Sequence, residues 1–283
     1  MNRRRVITGI RPTGKLHLGN LMGAMLPLSA LARDPENFCM FFVANLHGQT
    51  TGNDAEAAAE RRRDLIGIVL DHIASGLDHE ADNVLIYAQS SVPETSELAW
   101  ILGCITPLPD LLGMHHFKEK EVAVGSANGG LLMYPVLMAA DILGPHATLV
   151  PVGEDQLQHV ELARSLARRF NHRYERPGFF TEPEASEQHL RLPGLRGAGK
   201  MGKSEPKGTV NLDDSPGVVK KKILGADKRL PQADAVEPRV GNEPGEPELC
   251  RVFRLHRAVG TTQDELEVAA GCRSGSLRCG DCK

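Results

Sequence analysis

Short apolar runs alternate with longer stretches of helical periodicity along this chain. The runs are typical of strands buried on both faces, and the longer stretches predict helices between them. We predict strands at residues 5–10, 38–44, 83–88 and 148–152, and helices at 54–76, 94–102, 134–143 and 215–224. Because strands and helices alternate at these spacings, we expect an α/β fold. It combines a Rossmann-like, doubly wound parallel sheet with a C-terminal α-helical domain.

One charged residue, Asp141, lies in an otherwise uncharged stretch between Glu121 and Glu154. On a helix, Tyr134, Met138 and Asp141 fall at positions i, i+4 and i+7 and therefore share one face. A carboxylate on an apolar face costs free energy unless a partner satisfies it. Two interpretations follow: Asp141 bonds a local backbone donor near the helix end, or it accepts a hydrogen bond from a ligand.

Polar residues follow the predicted strands at what should be one edge of the sheet. A glycine-containing turn after the first strand leads to His17, the second strand is followed by His47, and the fourth by Gly-Glu-Asp-Gln at 153–156. Ligands of open parallel sheets bind at the carboxyl ends of the strands. A glycine at a strand-to-helix junction also lets a phosphate approach the backbone. A structural role for each histidine is the simpler alternative.

Composition narrows the class of protein. The 283 residues are 41% apolar and 24% charged, which is ordinary for a globular protein. No apolar run approaches the roughly 20 residues of a membrane helix, and the N-terminus is interrupted by Gly9 and Pro12, unlike a signal peptide. The net charge of −3 argues against a generally basic nucleic-acid coat. Six cysteines without a secretion signal indicate a reducing, cytoplasmic compartment.

Five segments, in order along nearly the whole chain, resemble class I aminoacyl-tRNA synthetases and, more narrowly, the tryptophanyl-tRNA synthetase family. They are PTGKLHLGN at 12–20, FKEK at 117–120, YPVLMAADIL at 134–143, PVGEDQ at 151–156 and KMGKS at 200–204. HLGN stands where the class has HIGH, and KMGKS where it has KMSKS. The MAADIL and PVGEDQ pair is typical of the tryptophan branch and is the most specific part of the resemblance.

The resemblance implies a tryptophan–tRNA ligase that makes tryptophanyl-adenylate from ATP, with Mg²⁺ as companion, and passes the amino acid to tRNA(Trp). It implies that Asp141 accepts the indole N–H. The other implied tryptophan contacts are Tyr134, Met138, Gln156 and His47. The implied catalytic residues are His17, Lys120, Lys200 and Lys203. The implied ATP contacts are Arg11, Pro12, Thr13, Gly19, Asn20, Gly153, Glu154, Asp155, Leu192, Lys200, Met201, Gly202, Lys203 and Ser204.

Three positions depart from the family pattern. Arg11 replaces a glutamine, Asn45 an aspartate, and Gly202 the first serine of KMSKS. Because the lysines remain, we expect altered rates more than lost activity. Two alternatives stay open: a tyrosyl-tRNA synthetase, and a synthetase-like regulatory paralogue that binds tryptophan or ATP without charging tRNA.

By resemblance, residues 1–205 form the catalytic domain and 206–283 a helical domain for the tRNA anticodon, and the enzyme is a homodimer. Four cysteines end the chain at C-x21-C-x6-C-x2-C spacing: Cys250, Cys272, Cys279 and Cys282. Their grouping predicts a metal site, either zinc or iron–sulfur, and the resemblance favours a four-iron, four-sulfur cluster. Family members continue past Lys283, so we expect a fragment or a shortened natural form.

Overall fold

The computed structural model of the protein describes residues 3–114, 128–187, 192–197, 199, 201–202, 205–227 and 243–283. The chain divides into two compact units. The first comprises residues 1–14 and 23–189, and the second comprises residues 15–22 and 190–283. The assignment of residues 1–205 to catalysis and 206–283 to tRNA recognition stays a prediction.

A parallel sheet forms the centre of the first unit, and its strands run in the order β3-β2-β1-β4-β5. The strands are β1 (Arg4–Ile10), β2 (Asn37–Val43), β3 (Val84–Ala88), β4 (Leu149–Val152) and β5 (Glu184–Glu187). The predicted α/β fold with a doubly wound sheet is confirmed. The pattern did not predict β5, because its Glu-Ala-Ser-Glu sequence lies at the sheet edge and has no apolar run.

Helices connect the strands of the first unit. They are α2 (Leu26–Ala32), α3 (Ala55–Ala74), α4 (Glu94–Cys104), α5 (Leu108–Leu112), α6 (Gly129–Leu143) and α7 (Leu157–Arg173). Helix α6 is apolar on nearly all sides and packs between α4 and α7. Its Ala139 and Ala140 are fully buried, and these small side chains let the neighbouring elements approach closely. This packing makes α6 the centre of the main core and takes Asp141 inside with it.

The sheet changes direction of winding between β1 and β4. The chain passes from β1 outward to β2 and β3, then returns to β4 on the other side of β1. Such a reversal opens a crevice at the carboxyl ends of the two central strands, where α/β proteins bind ligands. Arg11 follows β1 and Gly153 follows β4 at this edge, and a nucleotide site there stays a prediction.

The second unit contains α1 (Leu18–Asn20), the helices of the C-terminal part and a core of its own. Those helices are α8 (Pro216–Leu224), α9 (Arg251–Val259), α10 (Thr262–Ser274) and α11 (Cys279–Cys282). Ser215 is the N-cap of α8, and Pro216 lies in its first turn. Helix α1 has three residues, and a π-helical turn at Leu21–Met25 follows it. None of the helices in the described ranges is long and apolar enough to cross a membrane.

Candidate functional site

A buried hydrogen-bond network surrounds the carboxylate of Asp141. The Asp141 side chain is only 4% exposed, and its Oδ2 lies 2.8 Å from Nε2 of His47. The side-chain amide of Gln89 donates to both carboxylate oxygens, at 2.9 Å to Oδ1 and 3.0 Å to Oδ2. Asp141 therefore binds side chains that follow β2 and β3. The interpretation of Asp141 as bonded to a local backbone donor is wrong.

Gln89 links this network to the backbone at the end of β2. Its amide oxygen accepts the N–H groups of Leu46, at 3.0 Å, and His47, at 3.3 Å. Because two donors face the oxygen, the amide nitrogen must face Asp141. Gln89 is fully buried and occupies the first position after β3. It thus fixes the carboxylate of α6 against the loop that carries His47.

The network places a carboxyl group where charge is costly. Burial raises the pKa of Asp141, and the hydrogen bonds from His47 and Gln89 oppose that rise. Burial, together with the nearby charge of Asp141, raises the pKa of Tyr87 to about 12, so its phenol stays neutral. The carboxylate thus lies away from water, where a further N–H donor from a ligand would favour its charged form.

Tyr134 connects the Asp141 network to an open pocket. Its hydroxyl is hydrogen-bonded to Nε2 of His159 at 2.9 Å, and its ring meets that of His47 edge-on at 6.2 Å between centroids. The pocket has a volume of about 580 Å³ and is lined mainly by the His47–Thr50 turn, α4 and α6. Among its described lining residues, Tyr134 is the single predicted tryptophan contact. Met138 is half-buried against the main core.

The carboxyl ends of β1 and β4 carry the predicted nucleotide contacts of the first unit. Pro12 is buried, and Arg11 is exposed. A Cβ at Gly153 would lie 2.9 Å from Oδ1 of Asp155, so a side chain there would require the Asp155 carboxylate to move. Gln156 donates to the Asp155 carboxylate at 3.0 Å. The two predicted contact segments thus follow adjacent strands.

Within the second unit, the HLGN segment is held by main-chain pairing. Leu18 N–H donates to the Val210 carbonyl, and Leu212 N–H to the Leu16 carbonyl, each at 2.9 Å. His17 is buried and precedes α1, where its N–H donates to Oδ1 of Asn20 at 3.1 Å. A Cβ on Gly19 would lie 3.0 Å from the His17 ring, so glycine lets the ring pack against the backbone.

The same stretch of chain holds the described part of KMGKS. The Thr209 hydroxyl donates to the Gly202 carbonyl at 2.6 Å and accepts the Gly202 N–H at 3.2 Å. Met201 is buried, and its N–H donates to the carbonyl of buried Leu192 at 3.0 Å. Residues 209–212 therefore bond both predicted signature segments. A Cβ on Gly19 would lie 3.9 Å from the Met201 carbonyl oxygen.

Several predicted contacts lie outside the described residues. They are Lys120, Lys200, Lys203, Ser204 and the side chain of Glu154.

The four C-terminal cysteines lie in one helical region of the second unit. Cys250 precedes α9, Cys272 lies in the last turn of α10, and Cys279 and Cys282 are the ends of α11. Cys282 Sγ is 3.6 Å from Nε2 of His256. Across the described ranges, no group of three or more suitable side chains comes close enough to hold an ion. The predicted zinc or iron–sulfur site is therefore not supported.

Sequence reasoning missed Gln89 and His159. Gln89 directly follows an apolar strand, and a polar residue at that position was a usable signal. His159 lies on α7, where it looks like an ordinary polar position of a surface helix, yet it is 1% exposed. Asn45, which departs from the family pattern, joins the ends of β2 and β3 by hydrogen bonds with Ser90 at 2.7 and 3.0 Å.

Comparison with known proteins adds a family to this geometry. Residues 1–283 match the family model described as tRNA synthetases class I (W and Y). The chain is 38% identical to the tryptophan–tRNA ligase of Deinococcus radiodurans over 283 residues, covering 99% of this chain and 82% of that one. It is 40% identical to the tryptophan–tRNA ligase of a Nostoc species, covering 96% and 80%. A crystal structure of tryptophanyl-tRNA synthetase from Campylobacter jejuni, complexed with ADP and tryptophan, superposes with a TM-score of 0.76 at 32% identity, covering 96% and 80%.

Proposed function

The chain belongs to the tryptophanyl-tRNA synthetases of class I, and we propose that it activates L-tryptophan with the buried Asp141 network as its specificity element. The enzyme is an ATP-dependent ligase that joins tryptophan to tRNA. In the first step the carboxylate of tryptophan attacks the α-phosphorus of ATP, an acyl–phosphate bond forms, and pyrophosphate leaves. In the second step tryptophanyl-adenylate passes its acyl group to tRNA(Trp), and AMP leaves.

The single observation that carries this proposal is the pairing of a buried carboxylate with fixed donors. Asp141 accepts three hydrogen bonds from His47 and Gln89, whereas a carboxylate has about four acceptor positions. The remaining position suits the indole N–H of tryptophan. A site built to bond a substrate N–H rejects analogues that lack it, because its own buried polar group would be left unpaired. We assign Tyr134, Met138, Gln156 and His47 to the rest of the tryptophan site.

Activation needs positioning and charge stabilisation, since no protein nucleophile takes part. We propose that Arg11, Pro12, Thr13 and the 153–155 segment bind ATP, with Mg²⁺ arriving as part of the nucleotide substrate. Their position at the ends of β1 and β4 supports this assignment. A glycine that leaves the backbone open at 153 also suits a phosphate.

We propose further nucleotide contacts, together with the catalytic groups of the reaction. We assign nucleotide contacts to Gly19, Asn20, Leu192 and the 200–204 segment. We assign neutralisation of the leaving pyrophosphate to Lys200 and Lys203, with His17 and Lys120 as further catalytic groups. The hydrogen bonds between Thr209 and Gly202 hold the described part of this segment.

We propose that the enzyme is a cytoplasmic homodimer and that residues 206–283 contribute to tRNA(Trp) recognition. Exposed apolar side chains on α3, β3, α4 and α5 support an interface on the first unit. They are Ile66 and Leu70, Leu85, Trp100 and Ile101, and Leu108 and Leu112. Analytical ultracentrifugation tests the dimer, and substitution of Trp100 and Ile101 by charged residues should shift it to monomers.

We also propose a metal on the C-terminal cysteines, with less support than the tryptophan site has. The spacing and the shared helical region favour it, whereas the described geometry does not fit a cluster. Iron and zinc analysis of anaerobically purified protein decides the matter, and protein that contains neither metal contradicts it.

Tryptophan-dependent pyrophosphate exchange, followed by charging of tRNA(Trp), tests the function. We expect exchange with tryptophan and none with tyrosine, and then charging. Exchange with tyrosine alone would favour the tyrosyl alternative, and exchange without charging would favour the regulatory one.

A further inference from the structure

We propose that Gln89 is a positioning residue that sets the enzyme's selectivity for the indole N–H, by leaving Asp141 one directed acceptor position. The inference rests on the proposed tryptophan site and deepens it. Gln89 contacts the Asp141 carboxylate, and it acts on the substrate only through that carboxylate.

Gln89 sets the orientation of the Asp141 carboxylate. The amide nitrogen of Gln89 donates to both Asp141 oxygens, at 2.9 and 3.0 Å, so it lies across the open side of the carboxylate and fixes its rotation. His47 takes a second position on Oδ2 at 2.8 Å. Within the described residues, Oδ1 thus receives one hydrogen bond and Oδ2 receives two. The unused acceptor position is therefore on Oδ1, where the indole N–H of tryptophan can bind.

Gln89 also favours the charged form of Asp141. An ionised carboxylate accepts an N–H more strongly than a protonated carboxyl, and burial opposes ionisation. Gln89 donates to the charged form without carrying a charge of its own, which favours the carboxylate. Without Gln89, a larger fraction of Asp141 would be protonated, and a protonated carboxyl has fewer acceptor positions for an N–H.

The side-chain amide of Gln89 is itself held in one orientation. The Gln89 oxygen is bonded to the N–H groups of Leu46 and His47, and its side chain is fully buried. The amide therefore cannot turn over without breaking these bonds and facing donors with donors. The backbone after β2 sets the direction of the Gln89 amide nitrogen, and this nitrogen sets the direction of Asp141.

The test compares two substitutions of Gln89 with a matched control on the same strand. Gln89→Leu removes the amide, and Gln89→Glu keeps an acceptor for the two N–H groups but turns an oxygen toward Asp141. Asn83 immediately precedes β3, is 7% exposed and donates to the Asn37 carbonyl at 3.0 Å. Asn83→Leu therefore removes a buried amide from the opposite end of the strand.

The measured quantity is the preference for tryptophan over 3-(3-benzothienyl)alanine, in which sulfur replaces the indole N–H. Calorimetry gives Kd for both ligands, and thermal unfolding shows which variants fold. We expect both Gln89 variants to lose about 10-fold or more of the wild-type preference, from the cost of one charge-assisted hydrogen bond. Asn83→Leu should stay within about twofold of wild type, because a substitution far from the site adds independently.

A Gln89 variant that folds and keeps the full preference would overturn the role of Gln89 and leave the proposed function intact. Equal weakening of both ligands would do the same, since it indicates a structural role alone. Gln89→Glu decides the question if Gln89→Leu fails to fold. Wild-type protein without any preference for tryptophan would contradict the tryptophan site itself, and the role of Gln89 with it.

Discussion

His72 makes the first unit sensitive to acid, and replacing it by leucine should remove that sensitivity. The ring lies in the last turn of α3, is fully buried and packs edge-on against Phe41 at 4.1 Å between centroids. Burial lowers the pKa of His72 from 6.5 to about 4, and a backbone contact with Met25 opposes part of that effect. The folded protein therefore holds a neutral imidazole that the unfolded chain would protonate near pH 6.5.

The direction and the size of this pH dependence of stability follow from the linkage between proton binding and folding. Between pH 6.5 and pH 4 the unfolded state binds more protons, so the stability that the neutral imidazole contributes is present above pH 6.5 and is lost as the pH falls. The full shift of 2.5 pKa units, from 6.5 to about 4, corresponds to about 3.4 kcal/mol at 1.36 kcal/mol per unit. At pH 5 about 2 kcal/mol of this is already lost.

Urea unfolding at pH 7.5 and pH 5.0, followed by circular dichroism, measures the effect. From pH 7.5 to pH 5.0, the free energy of unfolding of the wild type should fall by about 2 kcal/mol more than that of His72→Leu. The matched control is His79→Leu, because His79 is exposed and its ring is solvated in the folded and the unfolded chain. Equal pH dependence of wild type and His72→Leu would refute the reasoning.

Three further substitutions test the local packing. Thr209→Val removes both hydrogen bonds to Gly202. It should lower kcat for pyrophosphate exchange by about 10-fold and leave KM for tryptophan unchanged, because it loosens only the contacts of Gly202. A change in KM for tryptophan alone would contradict this. Gly9→Ala places a Cβ 2.3 Å from the Phe42 ring and should cost about 1–3 kcal/mol in urea unfolding, whereas an unchanged midpoint would show that the ring moves freely. Arg251 is 3% exposed, and its guanidinium donates to the carbonyls of Gly194, at 2.6 Å, and Gly197. Arg251→Met removes these hydrogen bonds, so we expect the second unit to lose about 2–4 kcal/mol of stability. An undiminished free energy of unfolding would contradict that role.

The periodicity of the chain predicts most of the sheet because buried parallel strands have a strong signal. Residues 38–44 are almost wholly apolar, and the strand forms at Asn37–Val43. The predicted helix at 54–76 forms at Ala55–Ala74, with Asp54 as its N-cap. β5 lacks this signal, since a polar edge strand is defined by its pairing with β4 and not by burial.

The site was predictable where one residue type carries the chemistry, and less so where a network does. Asp141 stood out because a lone carboxylate in an apolar stretch demands a partner. That partner, Gln89, lies 52 positions away, and an amide after a strand has no distinctive spacing. The cysteines have a clear pattern instead, but metal-like spacing along the chain does not fix where thiols lie in space, and no group of metal-ligating side chains is found among the described residues.

The most direct test of the central claim is tryptophan-dependent pyrophosphate exchange by Asp141→Ala, with ATP binding measured in parallel. Loss of a charge-assisted hydrogen bond to the indole predicts a fall of about 10- to 150-fold in kcat/KM for tryptophan. The unpaired donors of His47 and Gln89 should add to it. Asp110→Ala is the control, because Asp110 pairs with Arg169 at 2.8 Å on partly exposed helices. We predict that tryptophan-dependent exchange by Asp141→Ala falls by at least this amount while ATP still binds, and unchanged exchange would mean that the carboxylate is only structural.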